Sequence, residues 1–429
     1  MNVPRVTGCL LAMIETKTGP VSEHHRIVEL DVLRGIALLG VLLMNFVWFA
    51  GEGMMITEAQ MAALPTAAVD EGAYFAVRWL VGDKANTVFA TLFGLGFYLQ
   101  LQRGEGRPGF EARYRRRLAW LLVFGLLNVL LLWWGDILHL YALAGFFLLA
   151  IRRWRTRSLV IFGTLAALYS DKAQEGLREA LDLPIPSSAH LFEVPAILER
   201  QAVAAAGDYP ALVAHMWQFT LTDWLIGGAI FAWIVYALGR FALGAAIGRS
   251  GILDDLPRYL PLLRRIAIVA IPAGLLFGLL VRLIYTGAWQ PLGDSDGFKT
   301  FGKILRSPAA LLLAAGYCAG IVVALQRAWG RRLFGPFGAV GRMALTNYLA
   351  QGLLYAFVLF GVGPGLGLAG KIGSFAVMLI SLAFFAFQVA FSHWWLARYR
   401  FGPMEWLWRA LTYGERPAMR RAPTAALPA

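Results

Sequence analysis

Two residues with the chemistry of a general base and its orienting group lie three positions apart, at Asp136 and His139. Residues three apart share one face of a helix, so the carboxylate can hold the imidazole ring and raise its basicity. Such a pair would take a proton from an acceptor hydroxyl or amine. The residues alone leave an alternative open, in which Asp136 only caps a helix and His139 is a hydrogen-bonded residue near a membrane surface.

A second polar set opens the first apolar segment. Asp31 and Arg34 are also three apart and can form an ion pair. Asn45 follows Arg34 by eleven residues, about 16 Å further along a helix. An anionic ligand that enters from the side of the arginine would meet both Arg34 and Asn45. The alternative is an arginine that extends to the membrane surface and an asparagine that packs against another helix.

Other polar residues interrupt later apolar segments. Asn347 and Gln351 are four apart and share a face, so they can line a substrate cavity or bond between helices, the commoner role. Arg240 and Arg282 lie near the ends of their segments and can extend to the surface. The chain has two cysteines, whose spacing indicates neither a disulfide framework nor a metal site, and we expect no metal.

The elements that must position these residues are membrane helices. Of the 429 residues, 59% are hydrophobic and 15% are charged, against about 25% charged residues in an ordinary soluble domain. Continuous apolar runs without strand-like alternation predict helices that cross the roughly 30 Å hydrocarbon core. We therefore predict an all-α fold, a polytopic transmembrane bundle of about ten spans. The predicted spans are 32–50, 85–102, 118–134, 137–151, 158–170, 224–247, 266–285, 308–326, 343–361 and 373–395.

The distribution of positive charge predicts the orientation of the bundle. Lys and Arg outnumber Asp and Glu by 13. With the N-terminus inside, the predicted cytoplasmic segments hold 27 of the 39 Lys and Arg residues and the outer segments hold 9. This asymmetry follows the positive-inside rule, so we expect both termini in the cytoplasm. It also accounts for the net charge without a nucleic-acid partner.

The domain organisation follows from the spans. We predict cytoplasmic tails over 1–29 and 397–429, a bundle over 30–396, and outer segments over 51–84 and 171–223. The two outer segments exceed about 15 residues, a length typical of either lids or solvated linkers. The apolar pattern of 403–412 predicts an amphipathic helix that lies in the inner membrane interface.

Four motifs occur in order along the chain: LDVLRGIA at 30–37, GDIL at 135–138, GRMALTNY at 341–348 and GPMEWLWR at 402–409. They resemble the YeiB-like family of bacterial multispanning proteins, a domain of unknown function, over residues from about 27 to 413. The resemblance implies a multi-pass protein of the bacterial cytoplasmic, or inner, membrane.

The YeiB-like family is itself distantly similar to transmembrane acyltransferases, the OafA-type sugar O-acyltransferases and the heparan-α-glucosaminide N-acetyltransferase. Those proteins take an acyl group from cytoplasmic acyl-CoA and deliver it to an acceptor across the membrane. The OafA-type signature is an Arg followed after ten residues by a His. Arg34 matches it, but Asn45 stands at the second position. The heparan-type enzyme uses a His before its second span, and 51–84 contains no His. His139 is the one buried substitute.

The resemblance and the residues together predict an acyltransferase. Acyl-CoA, in the first place acetyl-CoA, would be the donor, held by Arg34 with Asp31 and the arginines of 103–117. Asn45 would polarise the thioester carbonyl, and His139, oriented by Asp136, would be the general base.

Two further functions stay open. One is a transporter or lipid-handling protein that uses the same cavity without covalent chemistry. The other is a sensor or scaffold, in which Asp136 and His139 matter only for stability. The expected partners are membrane lipids and a small-molecule or glycan acceptor, and a homodimer is left open.

Overall fold

A computed structural model describes residues 27–51, 54–104, 108–181, 191–289 and 296–421. Within these ranges the regular elements are all helices, and no strand is present beyond isolated bridges such as Tyr399 with Arg420. The predicted all-α class is therefore confirmed. Most of the predicted N-terminal tail, residues 182–190 of the second outer segment and residues 422–429 of the C-terminal tail lie outside the described residues.

Seventeen α-helices follow one another along the described residues, with a π-helical turn, Thr220–Ile226, between the ninth and the tenth. Their bounds are α1 Val28–Ala50, α2 Glu58–Ala62, α3 Ala67–Leu80, α4 Lys84–Gly104, α5 Phe110–Leu131, α6 Leu138–Ala150, α7 Thr156–Leu181, α8 Val194–Ala205, α9 Tyr209–Phe219, α10 Ala229–Arg249, α11 Leu256–Tyr285, α12 Asp296–Leu325, α13 Ala328–Phe334, α14 Phe337–Arg342, α15 Ala344–Leu359, α16 Ser374–Arg398 and α17 Pro403–Tyr413.

Five helices in the described part of the chain are long and apolar enough to cross a membrane, by length and composition. They are Val28–Ala50, Ala229–Arg249, Leu256–Tyr285, Ile304–Leu325 and Ser374–Arg398. Leu138–Ala150 and Ala344–Leu359 are shorter apolar helices. The chain is therefore a helical protein with several membrane-type helices. Each of the ten predicted spans overlaps one of the helices α1, α4–α7, α10–α12, α15 and α16.

Glycines allow α4 and α10 to pack with their backbones in contact. A Cβ atom on Gly94 of α4 would overlap the carbonyl of Phe241, and one on Gly244 of α10 would overlap the carbonyl of Thr91. Small residues at a helix interface permit this close approach. The α10 helix packs in turn on α6 and α7, and α1 packs on α4, α14 and α16. The α11–α12 pair lies against α3 and α4.

The two segments predicted to lie outside, 51–84 and 171–223, pack against each other where they are described. From α8, the Arg200 Nε donates to the Met54 carbonyl at 2.9 Å and the Gln201 Nε2 donates to the Met55 carbonyl at 2.8 Å. The Gly361 amide donates to the Ala204 carbonyl at 2.7 Å. Residues 54–60 and α8 thus form a packed cap at the end of α1 rather than separate extended chains.

The last helix, α17, is anchored by the half-buried carboxylate of Glu405. Glu405 accepts hydrogen bonds from the backbone amides of Leu345 at 2.6 Å and Thr346 at 3.1 Å, and from the Thr346 hydroxyl at 2.6 Å. These amides are the otherwise unpaired donors of the first turn of α15, so Glu405 caps that helix. The Trp408 indole donates to the Arg117 carbonyl at 2.9 Å. The amphipathic segment therefore joins the beginnings of α5 and α15.

Candidate functional site

Asp136 lies in the tight turn between α5 and α6 and binds His139 twice. Its Oδ2 accepts from the His139 backbone amide at 3.1 Å and contacts the ring Nδ1 at 2.9 Å. Its Oδ1 accepts from the Asn128 Nδ2 at 2.8 Å. The side chain of Asp136 is fully buried and that of His139 is 5% exposed. Asp136 therefore caps α6 and orients the imidazole at the same time.

This arrangement suits one tautomer of the ring. An ionised carboxylate only accepts hydrogen bonds, so it pairs with the tautomer that carries its proton on Nδ1, in which Nε2 is the acceptor nitrogen. Among the described residues Nε2 has no hydrogen-bond partner. The ring lies beside Trp224, with 5.1 Å between the ring centroids. Trp224 belongs to the π-helical turn Thr220–Ile226, and such turns are frequent at functional sites.

Two glycines make room for the hydrogen-bonded set. A Cβ atom on Gly125 of α5 would overlap the backbone amide of His139. A Cβ atom on Gly352 of α15 would lie 2.9 Å from the Asn128 Oδ1. Side chains at these two positions would push α5, α6 and α15 apart. The close packing of the three helices thus holds Asn128, Asp136 and His139 together.

A cavity of about 420 Å³ opens where the ends of six helices meet, and we call it the arginine cavity. That volume is within the range of small-molecule binding sites. Its walls come from the first turns of α1, the second half of α4, the first half of α5, and parts of α6, α15 and α17. The polar and aromatic lining residues include Asp31, Arg34, Gln100, Arg103, Phe110, Arg113, Tyr114, Arg117, Tyr141, Tyr348, Phe401, Trp408, Arg409, Thr412 and Tyr413.

The charge of the arginine cavity is strongly positive. Among the described residues, five arginines and the carboxylate of Asp31 line it, and Asp31 forms an ion pair with Arg34 at 3.0 Å. The charges of Arg409 and Arg34 act on Arg117 inside the cavity. Cations that crowd one another in this way attract an anion, and guanidinium groups match phosphate oxygens in geometry.

Aromatic rings form a second part of the lining. The Arg117 guanidinium lies 3.6 Å from the centre of the Trp408 ring, a cation–π contact. Phe110 and Tyr413 also line the cavity. The arginine cavity therefore offers flat apolar faces next to its cationic groups.

Tyr348 connects the arginine cavity to the Asp136–His139 pair. It lines the cavity, and its hydroxyl accepts from the Ile137 amide at 3.0 Å, one residue after Asp136. Leu138 and Tyr141 line the cavity as well, whereas Asp136 and His139 do not. The predicted pair thus lies directly behind the cavity wall.

Three predicted residues lie elsewhere. Asn45 is half-buried on α1 and does not line the arginine cavity. The Asn347 Nδ2 donates to the Ser392 hydroxyl at 3.1 Å, and the Gln351 Nε2 donates to the Gln388 Oε1 at 3.2 Å. These last two bonds join α15 to α16. The structure therefore brings Asp31 and Arg34 into the cavity and places Asn347 and Gln351 between helices.

Arg240 differs from its sequence expectation. It does not extend to the surface but is 1% exposed, with its guanidinium 3.3 Å from the centre of the Tyr236 ring. Its Nε donates to the Thr87 hydroxyl at 2.9 Å. The hydrogen bond to Thr87 and the cation–π contact with Tyr236 stabilise the guanidinium inside the bundle, so the side chain stays buried.

Sequence reasoning missed three residues of the site. Asn128 lies eight positions before Asp136, across a turn, and no local spacing connects them. Tyr348 reaches the segment 136–139 only through the packing of α15. Arg409 lies on α17, which the sequence placed at the membrane interface, away from the chemistry. The described residues contain no group of three or more His, Cys, Asp or Glu side chains that could hold a metal ion.

Comparison with known proteins identifies the family. Residues 247–415 match the model of the family described as protein of unknown function (DUF418). The chain is 31% identical to the uncharacterized protein YxaH of Bacillus subtilis, over 92% of this chain and 96% of that protein. It is 30% identical to the uncharacterized protein YeiB of Escherichia coli, over 90% of this chain and 96% of that protein.

A third relative is an uncharacterized 39.9 kDa protein of Bacillus acidopullulyticus, 26% identical over 92% of this chain and 96% of that protein. No solved structure matches the chain. The relatives are matched over nearly their whole length, so the resemblance extends to the entire bundle. The chain belongs to the YeiB-like, or DUF418, family of bacterial proteins.

Proposed function

We propose that this protein is a transmembrane acyltransferase that moves an acyl group from acyl-CoA to a hydroxyl or amine acceptor. The observation that carries the proposal is the arginine cavity, a space of about 420 Å³ whose described lining contains five arginines and one carboxylate. Its charge favours a ligand with several negative groups. Its position in front of the Asp136–His139 pair brings that ligand close to a candidate base.

Acyl-CoA fits the chemistry of the cavity lining. Its phosphate groups carry several negative charges, and guanidinium groups bind phosphate oxygens in pairs. Its adenine can stack on aromatic rings such as Phe110 and Tyr413, as bases do at nucleotide-binding surfaces. The apolar inner wall, which includes Leu121 and Leu138, suits the pantetheine arm and the acyl chain. Acetyl-CoA is the first donor to test.

The orientation proposed from the charge count places the arginine cavity at the cytoplasmic face. In this topology both termini are cytoplasmic. Ten helices span the bacterial inner membrane: α1, α4–α7, α10–α12, α15 and α16. Two features support this arrangement. The cavity lies where arginine-rich segments meet, and 27 Lys and Arg residues fall on the proposed inner side against 9 on the outer side. Cytoplasmic acyl-CoA would then enter the cavity directly.

The proposed reaction is a direct acyl transfer. The Nε2 of His139 takes the proton from the acceptor hydroxyl or amine, whose oxygen or nitrogen attacks the thioester carbonyl carbon. The bond from carbon to the new oxygen or nitrogen forms and the carbon–sulfur bond breaks. His139 then returns the proton to the leaving thiolate, which gives free CoA. Asp136 keeps the ring in the required tautomer throughout.

We assign to Tyr348 the role predicted for Asn45. Asn45 does not line the arginine cavity. The Tyr348 hydroxyl accepts from the Ile137 amide, so its own proton is available to donate to the thioester oxygen at the inner end of the cavity. A donor at that position stabilises the negative charge that develops in the transition state.

A second function has one observation in its favour. His139 does not itself line the cavity. A protein that binds or moves an anionic lipid or metabolite without covalent chemistry needs the arginines and not the histidine. The two functions make opposite predictions for His139, and a transfer experiment separates them.

The experiment uses inverted membrane vesicles from bacterial cells that produce the protein, so that its cytoplasmic face is outside and the native acceptor is present. Acetyl-CoA labelled in the acetyl group is added, and label is followed into lipid, polysaccharide and small-molecule fractions. We expect labelling by the wild-type protein, its loss in His139→Gln, and weaker labelling by Arg103→Ala at subsaturating acetyl-CoA. The matched control Arg332→Ala removes an exposed arginine on the same proposed side and should keep the signal.

Equal labelling by the wild-type protein and His139→Gln would contradict the catalytic role of His139. No labelling above that of vesicles without the protein, at full expression, would contradict acyl transfer and favour the second function.

A further inference from the structure

A second cavity, of about 260 Å³, lies where α3 meets α4 and where the last turns of α11 approach α12. Four cationic residues line it: Arg78, Lys84, Arg282 and Arg306, which we call the outer basic cluster. The carboxylate that lines it with them is Asp83. Lys84 begins α4, whereas Arg103 of the arginine cavity is near its end, about 29 Å away along the helix. The two cavities therefore lie toward opposite ends of the bundle.

Asp83 forms its ion pair with one member of the cluster, Arg306. It occupies the left-handed region of backbone conformation, with a φ of 62°, at the turn before α4. The Arg306 Nε donates to its Oδ2 at 3.0 Å. Burial would raise the pKa of Asp83, but Arg306, Arg78 and Lys84 together hold it well below its usual range. Asp83 is thus an anion that neutralises one of the four cations.

The three remaining cations lack a carboxylate partner among the described residues. The guanidinium of Arg78 lies 5.0 Å from the centre of the Trp48 ring, and that of Arg282 lies 5.6 Å from the centre of the Tyr74 ring. The Nε of Arg282 is buried and donates no hydrogen bond within the described part of the chain.

Lys84 is 7% exposed, and the hydrogen bond recorded for its ammonium is a long one, at 3.4 Å to the Arg78 carbonyl. A buried charge is costly unless it is paired and hydrogen-bonded. An anion bound between Lys84, Arg78 and Arg282 would therefore stabilise all three cations.

We propose that the outer basic cluster binds a phosphate group, carried by a soluble phosphorylated molecule or by the headgroup of an anionic lipid. A phosphate offers several acceptor oxygens and up to two negative charges, which suits three cations around a small cavity better than a single carboxylate. Trp48 and Tyr74 pack against the guanidinium groups of Arg78 and Arg282 and so hold these hydrogen-bond donors in place before a ligand binds. The dipole of α4, which begins at Lys84, adds to the positive potential.

This site goes beyond the proposed acyl transfer. It shares no lining residue with the arginine cavity. Its existence does not require that the protein bind acyl-CoA. Binding at the outer basic cluster and acyl-CoA binding are therefore measured separately, and the failure of one leaves the other intact.

The test has two arms, both with the full-length protein in lipid nanodiscs. In the first arm, sn-glycerol 1-phosphate is titrated by calorimetry into discs of phosphatidylcholine. In the second arm, discs contain one fifth phosphatidylglycerol, and native mass spectrometry counts the lipids that stay bound. Lys84→Met, Arg78→Gln and Arg282→Gln are compared with Arg264→Gln, which removes an exposed arginine at the other end of α11.

We expect saturable binding in at least one arm, weakened at least tenfold in two or more cluster variants and unchanged in Arg264→Gln. Binding in the first arm alone identifies a soluble ligand, and retention in the second arm alone identifies a lipid headgroup. The absence of saturable binding in both arms would overturn the proposal. Equal binding by the wild-type protein and all three folded cluster variants would overturn it as well.

Discussion

Asp136 holds His139 at two points, the backbone amide at 3.1 Å and the ring Nδ1 at 2.9 Å. One carboxylate oxygen serves both contacts, while the other accepts from Asn128. The ring therefore cannot turn without breaking a hydrogen bond in a fully buried position. This is the geometry that a general base requires, and it arises from a helix cap.

Asp136→Asn tests whether that orientation serves catalysis. The amide keeps the shape of the side chain but no longer fixes the ring tautomer. We expect acyl transfer to fall by about 10²- to 10⁴-fold, as for the loss of a general base, while acetyl-CoA affinity changes less than about threefold. Transfer in vesicles and donor binding by calorimetry give the two numbers. A variant that loses thermal stability but keeps its transfer rate would show that Asp136 serves stability alone, and it would contradict the proposed role of Asp136 in catalysis.

Arg103→Ala tests the electrostatic account of the arginine cavity. Arg103 is exposed and lines the cavity, so its removal should leave the fold intact. We expect acetyl-CoA to bind about tenfold more weakly to Arg103→Ala than to the wild type. We also expect added salt to weaken binding less in the variant, because the variant has one fewer arginine–phosphate pair for salt to screen. Calorimetry at low and high salt measures both effects. An unchanged affinity in Arg103→Ala, with Arg332→Ala as reference, would argue against phosphate binding there.

Glu405→Gln tests the anchoring of α17. Burial raises the pKa of Glu405, and hydrogen bonds from Thr346 and Leu345 offset this only in part. A carboxyl with a raised folded pKa stabilises fully below its unfolded pKa and loses that contribution as pH rises through the folded pKa. Glutamine resembles the protonated form. We therefore expect the melting temperature of Glu405→Gln, relative to the wild type, to rise from about pH 4.5 to pH 7.

Melting curves in one detergent across that pH range provide the measurement. A difference that stays constant with pH would show that folding leaves the pKa of Glu405 unchanged, and one that shifts in favour of the wild type as pH rises would show a stabilised carboxylate; either result would contradict the raised pKa.

Gly125→Ala tests the close approach of α5 and α6. A Cβ atom at Gly125 would overlap the backbone of His139, so the helices must separate. We expect a loss of about 1–3 kcal/mol of stability, typical of overpacking, together with a loss of transfer. Gly72→Ala is the matched control, because a Cβ atom on Gly72 of α3 meets no atom within 4 Å. Equal melting temperatures for the two variants would contradict the packing described for α5 and α6.

Much of this architecture follows from local sequence patterns. Apolar runs predict helices because backbone N–H and C=O groups in lipid find hydrogen-bond partners only within the chain, which a helix supplies. Each of the ten predicted spans overlaps an observed helix. Asp136 and His139 are found in contact because three residues along a helix fix their geometry without help from distant parts of the chain.

The rest of the site depends on which helices pack together. Helical spacing puts Asn347 and Gln351 on one face, but it cannot tell whether that face meets a cavity or another helix. Arg409 reaches the arginine cavity only because Glu405 caps α15 and so fixes the position of α17. The outer basic cluster joins Arg78, Arg282 and Arg306 from three helices, a meeting that no local pattern encodes.

The most direct test of the central claim is calorimetric titration of acetyl-CoA into the purified protein, its Arg34→Ala variant and its His139→Ala variant. We predict saturable binding by the wild type, loss of binding in Arg34→Ala and retained binding in His139→Ala, because donor binding and proton transfer depend on different residues. The absence of binding up to millimolar acetyl-CoA, with all three proteins folded, would contradict it.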